Sequence, residues 1–196
     1  MAKKILVILG NPARQRKSLC ESLALAYEKG ATETGNEVRL IKIADLEFDP
    51  ILHEGYKGIQ SLEPAIADAQ TQLAWADHIV IVYPLWQFSM PALLKGFFER
   101  VLMKGFAFDF GTDDGPFVHA KFLRNKSARI IQTMAMPSLM YRLFARQHGA
   151  KALRSTLNFC GISPVRFSYY GMTEKINEDQ ANSYIDEVKI LGRRGA

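Results

Sequence analysis

The chain has 196 residues, a formal net charge of +5 and two cysteines, a size that fits one α/β domain with a real core. It holds no run of about 18 apolar residues and starts Met-Ala-Lys-Lys straight into strand-like sequence, which predicts no membrane span, no secretory leader and a cytoplasmic protein. Cys20 and Cys160 lie far apart without C-x-x-C or metal-ligand spacing, so no disulfide framework and no metal site is expected, and the scattered Lys and Arg suit anionic small molecules better than a nucleic-acid partner.

Taken in order, Lys3-Lys-Ile-Leu-Val-Ile-Leu9 reads as a central parallel strand, apolar throughout because both faces are covered. Gly10-Asn11-Pro12 ends it, and a polar loop with Arg14, Arg16 and Lys17 follows. Ser18-Leu19-Cys20-Glu21 has the S-x-x-E form of a capping box, predicting a helix from Ser18 to about Lys29. A strand tip feeding a helix N-terminus can hold a phosphate, because unpaired N–H groups and the helix dipole point at the anion. Ser18 acting only as a cap is the alternative. The loop is neither G-x-G-x-x-G nor a P-loop, which argues against a Rossmann fingerprint and an NTPase.

Gly30 and Gly35-Asn36 are expected to punctuate the helix end, and Glu37-Val-Arg-Leu-Ile-Lys-Ile43 alternates as an outer strand does. Residues 51–62 read as a surface loop. Glu63 to Trp75 spaces Ile66, Ala69 and Leu73 for an amphipathic helix with Pro64 in its first turn. His78-Ile-Val-Ile-Val-Tyr83 is a second buried strand, and it feeds Pro84-Leu85-Trp86-Gln87-Phe88-Ser89-Met90-Pro91. A helix follows to about Met103, with Pro91 expected in its first turn and Ser89 or Met90 as its cap. In open parallel sheets ligands bind outside the carboxyl ends of strands, so a loop here with Trp86, Phe88 and free backbone N–H groups could hold a flat heterocycle; ordinary core aromatics are the competing reading.

Phe106, Phe108 and Phe110 alternate before a turn-rich run, Gly111 to Phe117, and could be core filler. Ser127-Ala-Arg-Ile-Ile-Gln-Thr133 and Val165-Arg-Phe-Ser-Tyr-Tyr170 are the last two strands. Between them Tyr141 and His148 stand one or two helical turns apart, close enough on a shared face to donate hydrogen bonds to one anionic oxygen. Asn177 is expected to cap a final helix to about Leu191, with a frayed tail after it. Strands and helices alternating at this interval imply right-handed β-α-β units.

The stretch from Tyr83 to Leu102, Tyr-Pro-Leu-Trp-Gln-Phe-Ser-Met-Pro-Ala-Leu-Leu-Lys-Gly-Phe-Phe-Glu-Arg-Val-Leu, resembles the central segment of the flavin-dependent NAD(P)H:quinone oxidoreductases, F/Y-P-L-x-W-F-x-M/V-P-A-I/L-L-K-G-W/F-F-D/E-R-V. Asp45-Leu-Glu-Phe-Asp-Pro50 resembles the family's D-L-x-F-D-P. Gly105-Phe-Ala-Phe-Asp-Phe110 and Gly115-Pro-Phe117 resemble its aromatic segment, Met140-Tyr141 its M-Y, and Leu157-Asn-Phe-Cys-Gly-Ile162 its L-x-F-C-G-I/F. Departures from the pattern are Gln87 for Trp, Asn11 for a phosphate-side His, Met134-Ala135-Met136 for T-G-G, and a histidine seven residues after Tyr141 instead of six.

The resemblance implies a flavodoxin-like α/β fold, a doubly wound five-stranded parallel sheet in order 2-1-3-4-5, with one flavin-binding domain over residues 1–196. It implies two-electron, ping-pong reduction of quinones or similar electrophiles by NADH or NADPH through a non-covalent flavin, with the protein setting orientation and electrostatics. Cofactor contacts fall on Asn11, Ser18, Leu19 and Cys20, on Pro84, Leu85, Trp86, Gln87 and Phe88 with N–H groups of residues 85–88 aimed at the ring, and on Thr133, Met134 and Ala135. Tyr141 and His148 take the catalytic places. Phe108 and Phe110 wall a flavin pocket across the two-fold axis of a homodimer, and with Tyr141 they sandwich donor or acceptor. FMN and FAD both stay open, with short loops favouring FMN. A flavodoxin-type electron carrier and a flavin-binding regulatory subunit of a potassium efflux system are the alternatives, the first disfavoured by the basic charge.

Overall fold

Apolar runs too uniform for a half-exposed strand become the middle of a sheet covered on both sides. The computed structural model describes residues 2–14, 18–55, 58, 60–110 and 119–196. Along the chain come β1 (Lys4–Leu9), α1 (Leu19–Glu33), β2 (Glu37–Lys42) and a 3₁₀ turn (Ile43–Asp45). After these come α2 (Pro64–Trp75), β3 (His78–Pro84) and α3 (Ala92–Val101). A small antiparallel hairpin follows, β4 (Phe108–Phe110) with β5 (His119–Lys121). The rest is β6 (Ser127–Thr133), α4 (Ser138–Leu143), α5 (His148–Cys160), β7 (Val165–Tyr170) and α6 (Glu178–Arg194).

Five strands form one parallel sheet in the order β2-β1-β3-β6-β7, the expected 2-1-3-4-5 with the hairpin set aside. Alternate residues of each strand face opposite layers. Leu6, Ile8, Ile79, Ile81 and Ile130 pack under α2, α3 and α5. Ile5, Val7, Val80, Val82 and Ile131 pack under α1 and α6. Ordered this way, the carboxyl ends of β1, β3 and β6 lie side by side on one rim. Among the described residues no helix is long and apolar enough to cross a membrane.

Three expectations change. Gly30 does not end α1. A Cβ there would lie 2.1 Å from the Lys189 carbonyl oxygen, and one on Gly192 would lie 2.2 Å from that of Tyr27. Both glycines let α1 and α6 touch backbone to backbone, which carries α1 to Glu33 and α6 past Leu191. The tail is held and not frayed, because Lys3 Nζ donates to the Gly195 carbonyl at 2.7 Å and Arg129 Nε to that of Ala196 at 2.5 Å. Pro91 is itself the N-cap of α3, with no side-chain cap. Asn177 caps α6 as expected, accepting from Gln180 N at 2.8 Å.

The loop before α2 is pinned by a residue the sequence reading passed over. Arg100 on α3 is buried and donates to the Ser61 carbonyl at 2.9 Å and to Glu63 Oε2 at 2.6 Å. Its Nε and second terminal nitrogen find no partner among the described residues.

Candidate functional site

The first rim loop leaves β1 through Gly10, whose N–H still donates to the Val82 carbonyl at 2.7 Å. Asn11 is buried, its Nδ2 donating to Ser18 Oγ at 3.0 Å and its Oδ1 accepting from Ala13 N at 3.2 Å. Ser18 Oγ accepts from Glu21 N at 3.2 Å, so Ser18 caps α1. The capping box is not reciprocal, since Glu21 turns away to Lys42 at 2.7 Å. Ser18 spends its lone pairs on these two donors and keeps its hydroxyl proton to give. Leu19 and Cys20 sit in the first helical turn, where N–H groups lack intrahelical acceptors. A cleft of about 100 Å³ opens here, lined among others by Asn11, Arg14, Ser18 and Lys42. Arg14 is tied to the Ala44 carbonyl, and Arg16 and Lys17 lie outside the described residues. Cys20 Sγ contacts Thr133 Oγ1 at 3.1 Å, and burial pushes its thiol up to about 12, against the opposing hydrogen bond from Thr133. It is a packing group, not a nucleophile.

The second loop is a tight hairpin. Trp86 N donates to Ser89 O at 2.9 Å, and Ser89 N to Trp86 O at 2.8 Å. Between them Gln87 and Phe88 are both left-handed, with φ of 49° and 60°, a conformation that costs a non-glycine residue on the order of 1 kcal/mol. The expectation that residues 85–88 all aim N–H groups at a ligand is corrected here. Leu85 N extends the β3–β6 ladder to the Thr133 carbonyl at 2.7 Å, and Trp86 N closes the turn. Gln87 and Phe88 are the donors at the tip with no acceptor among the described residues, and Trp86 and Phe88 there are 46% and 57% exposed. Pro84 is the last residue of β3, opposite Thr133.

At the third loop Met134 N donates to the Tyr170 carbonyl at 2.9 Å. The Met134 side chain is therefore drawn into a small core with Tyr141 and Ala150. Thr133 is buried against Cys20, and Ala135 is the exposed one of the three.

Tyr141 and His148 do not share a helix. α4 stops at Leu143, Arg146 and Gln147 take left-handed conformations, and His148 starts α5. The chain reunites them differently: Ala150 N donates to the Tyr141 hydroxyl at 3.2 Å, so that hydroxyl sits on the first turn of α5 and His148 is exposed beside it. The Tyr141 ring is fully buried, edge-on to Tyr169, which removes it from the expected sandwich around a ligand. Burial raises its pKa, opposed by the Ala150 N–H and by nearby Gln132.

Two residues here were not anticipated. Gln132 is fully buried between Tyr83 and Tyr169 in the ladder, and neither its amide atoms nor the Tyr83 hydroxyl has a good hydrogen-bond partner among the described residues. One polar residue inside an apolar strand was its signal. Gly149 lies against the second loop: a Cβ there would be 2.4 Å from the Phe88 carbonyl oxygen. No local signal marks it.

Phe108 and Phe110 line a mostly apolar cavity of about 570 Å³ between α3 and α5, together with Met90, Phe98, Leu102 and Phe159. Phe108 packs edge-on to Phe110 and Phe159 at 5.5 and 4.9 Å between centroids. The segment Gly111–Phe117 of the expected wall lies outside the described residues.

Comparison with known proteins agrees with this arrangement. A family model described as flavodoxin-like fold matches residues 3–189. A Haemophilus influenzae protein named an uncharacterized NAD(P)H oxidoreductase is 29% identical over 188 residues, covering 92% of this chain and 90% of its own. The Pongo abelii ribosyldihydronicotinamide dehydrogenase [quinone] is 37% identical over 150 residues, 71% of this chain and 60% of its own length. The crystal structure of an FMN-dependent NADH-azoreductase from Bacillus anthracis, in complex with FMN, superposes with a TM-score of 0.78 at 18% identity, covering 98% of both chains.

Proposed function

The chain belongs to the flavodoxin-like fold family, and on that premise we propose that it is an NAD(P)H dehydrogenase (quinone), a single-domain flavin oxidoreductase that reduces quinones or similar electrophiles by two electrons. The observation that carries the reading is the convergence of residues 10–14, Ser18 and residues 84–89 on one rim, tied through Gly10 N to Val82 O on adjacent strands. The donor set fits a flavin phosphate: the Ser18 hydroxyl borders the small cleft, the N–H groups of Leu19 and Cys20 follow it in the first turn of α1, and Lys42, paired with Glu21, offsets the carboxylate that lines the same cleft. The two unpaired N–H groups at the Gln87–Phe88 tip fit an electron-rich ring edge. The cleft of about 100 Å³ has room for a phosphate, and the FMN-bound Bacillus anthracis neighbour is consistent with FMN as the flavin. Held there, a flavin would supply two-electron hydride chemistry between NADH or NADPH and the acceptor.

The residues of the chain then do the rest. Asn11 and Ser18 hold the phosphate loop at its two ends. Trp86 and Phe88 cover a flat ligand and keep water from it. Phe110, 52% exposed, supplies the stacking surface expected of the aromatic segment, and the apolar cavity at its base suits a second copy of the chain, as a homodimer with shared sites requires. In this reading His148, exposed at the first turn of α5, is the side-chain donor to the developing negative charge, and Tyr141 is a positioning residue whose hydroxyl accepts from Ala150 N in that turn. Donor and acceptor share one place, which makes the kinetics ping-pong.

The test is steady-state NADH and NADPH oxidation with menadione by protein reconstituted with FMN and, separately, FAD. Turnover well above free flavin, with parallel double-reciprocal lines, is expected. Rates equal to free flavin would overturn the proposal in favour of a regulatory or carrier role.

A further inference from the structure

Among the described residues the α4–α5 corner is the most exposed apolar surface. Leu139, Met140, Leu143 and Phe144 are 60%, 48%, 62% and 80% exposed, and of α4 only Tyr141 is buried. Arg142, Arg146 and Lys151 are exposed around them. Residues 115–173 hold nine Lys and Arg and no Asp or Glu; Lys126 and Arg129 of that set are tied down near the amino end of β6, while Arg142, Arg146 and Lys151 surround this corner with no carboxylate between Leu139 and Lys151. A large apolar patch rimmed by one sign of charge marks an interaction surface.

We propose that this corner docks the protein on an anionic lipid bilayer, as a peripheral contact that inserts the Leu139, Leu143 and Phe144 side chains while arginines meet the lipid phosphates. Apolar side chains flanked by basic ones in one short surface element are the pattern of an interfacial anchor. The corner is also rigid. Ala150 N of α5 donates to the Tyr141 hydroxyl at 3.2 Å and the Tyr169 hydroxyl donates to Gln147 Oε1 at 2.8 Å, two ties that hold the corner against the domain and reduce the ordering needed on binding. Arg142 stands between the apolar ridge and a hollow of about 370 Å³ lined by Ser138, Gln147, Phe167 and Tyr169, where a phosphate headgroup has room and donors. A second copy is a poorer occupant, because an isologous contact would set this arginine-rich face against itself. α4 follows β6 directly, so the corner stands on the same rim as Trp86 and Phe88. Docking there would present the site to quinones dissolved in the membrane. That consequence rests on the proposed activity, while the docking itself does not.

The experiment is sedimentation of the full chain with vesicles of phosphatidylcholine alone or of three parts phosphatidylglycerol to seven parts phosphatidylcholine, at low and high salt. Binding to the anionic vesicles only, weakened by salt, is expected. Each arginine near such a surface contributes roughly a five-fold change in partitioning, so R142Q/R146Q should weaken binding about 25-fold. L143S/F144S should weaken it roughly ten-fold or more. Both variants should keep wild-type circular dichroism. Because sedimentation is read without turnover, a failed quinone assay leaves the result standing. Wild-type protein that ignores anionic vesicles, or double variants that bind as wild type, would overturn the proposal. So would a dimer that L143S/F144S turns into monomer, which would assign the face to a second copy, or a salt-sensitive complex with duplex DNA in place of vesicle binding.

Discussion

Gly149→Ala tests whether the hairpin tip is where the flavin ring sits. The new Cβ would lie 2.4 Å from the Phe88 carbonyl oxygen and 2.8 Å from Ser89 Cα, roughly 0.6 Å inside the nearest approach such atoms accept. One side must move. α5 is a helix of 13 residues anchored in the core by Leu153 and Leu157, whereas the turn is closed by one pair of hydrogen bonds and already holds Gln87 and Phe88 in left-handed conformations. The turn therefore yields. Up to about 1 kcal/mol of helix propensity favours alanine, against about 1–3 kcal/mol for overpacking, so the fold should lose no more than about 2 kcal/mol. Misaiming the Gln87 and Phe88 N–H groups should cost about 1 kcal/mol each in ligand affinity, a weakening of roughly 30-fold in total. Flavin fluorescence titration and urea unfolding measure the two effects separately. A flavin Kd within two-fold of wild type, with the protein folded, would refute the assignment of the ring to this turn.

Ser18→Asp should preserve stability, because aspartate caps a helix as well as serine, while its charge drives the flavin phosphate off and raises the Kd at least ten-fold by the same titration; an unchanged Kd contradicts the phosphate placement. The buried pair of Arg100 and Glu63 should respond unequally. Glu63→Gln strands a fully buried guanidinium and should cost about 3 kcal/mol, whereas Arg100→Met leaves a carboxylate that can reach water and should cost about 1 kcal/mol. The reverse order in urea unfolding would show that the carboxylate, not the guanidinium, carries the desolvation. His78 is buried at the start of the central strand β3, on the opposite rim from the site, and burial first, then Lys3, Arg129 and Arg166, pull its pKa from 6.5 down to about 4. The native state thus holds fewer protons than the unfolded state between those values, and stability falls as pH drops through that window, by about 2.5 kcal/mol from pH 7.5 to 4.5. Urea unfolding of wild type and His78→Asn at the two pH values should show that slope in the first and lose it in the second.

The five sheet strands were legible because each central strand must be apolar on both faces, a local rule, while their order was implied by the family resemblance and is the one observed. The phosphate-side cap was legible for the same reason: a serine three residues before a glutamate marks a helix start whatever surrounds it, and the structure keeps the cap although Glu21 leaves for Lys42. What depends on distant atoms was not. Gly30 and Gly192 read as helix ends until α1 and α6 cross at them, and Pro91 became the cap itself. Leu85 and Trp86 looked like free donors until β6 and the turn closure used their N–H groups. Tyr141 and His148 looked like partners on one helix, yet the chain breaks between them and the Tyr141 hydroxyl meets Ala150 N of α5 instead. Periodicity and capping are written in neighbouring residues, so the sequence alone determines the layered sheet and its rim. Which N–H groups stay unpaired on that rim, and which aromatic rings stay open to a ligand, is decided by contacts between segments far apart in the chain.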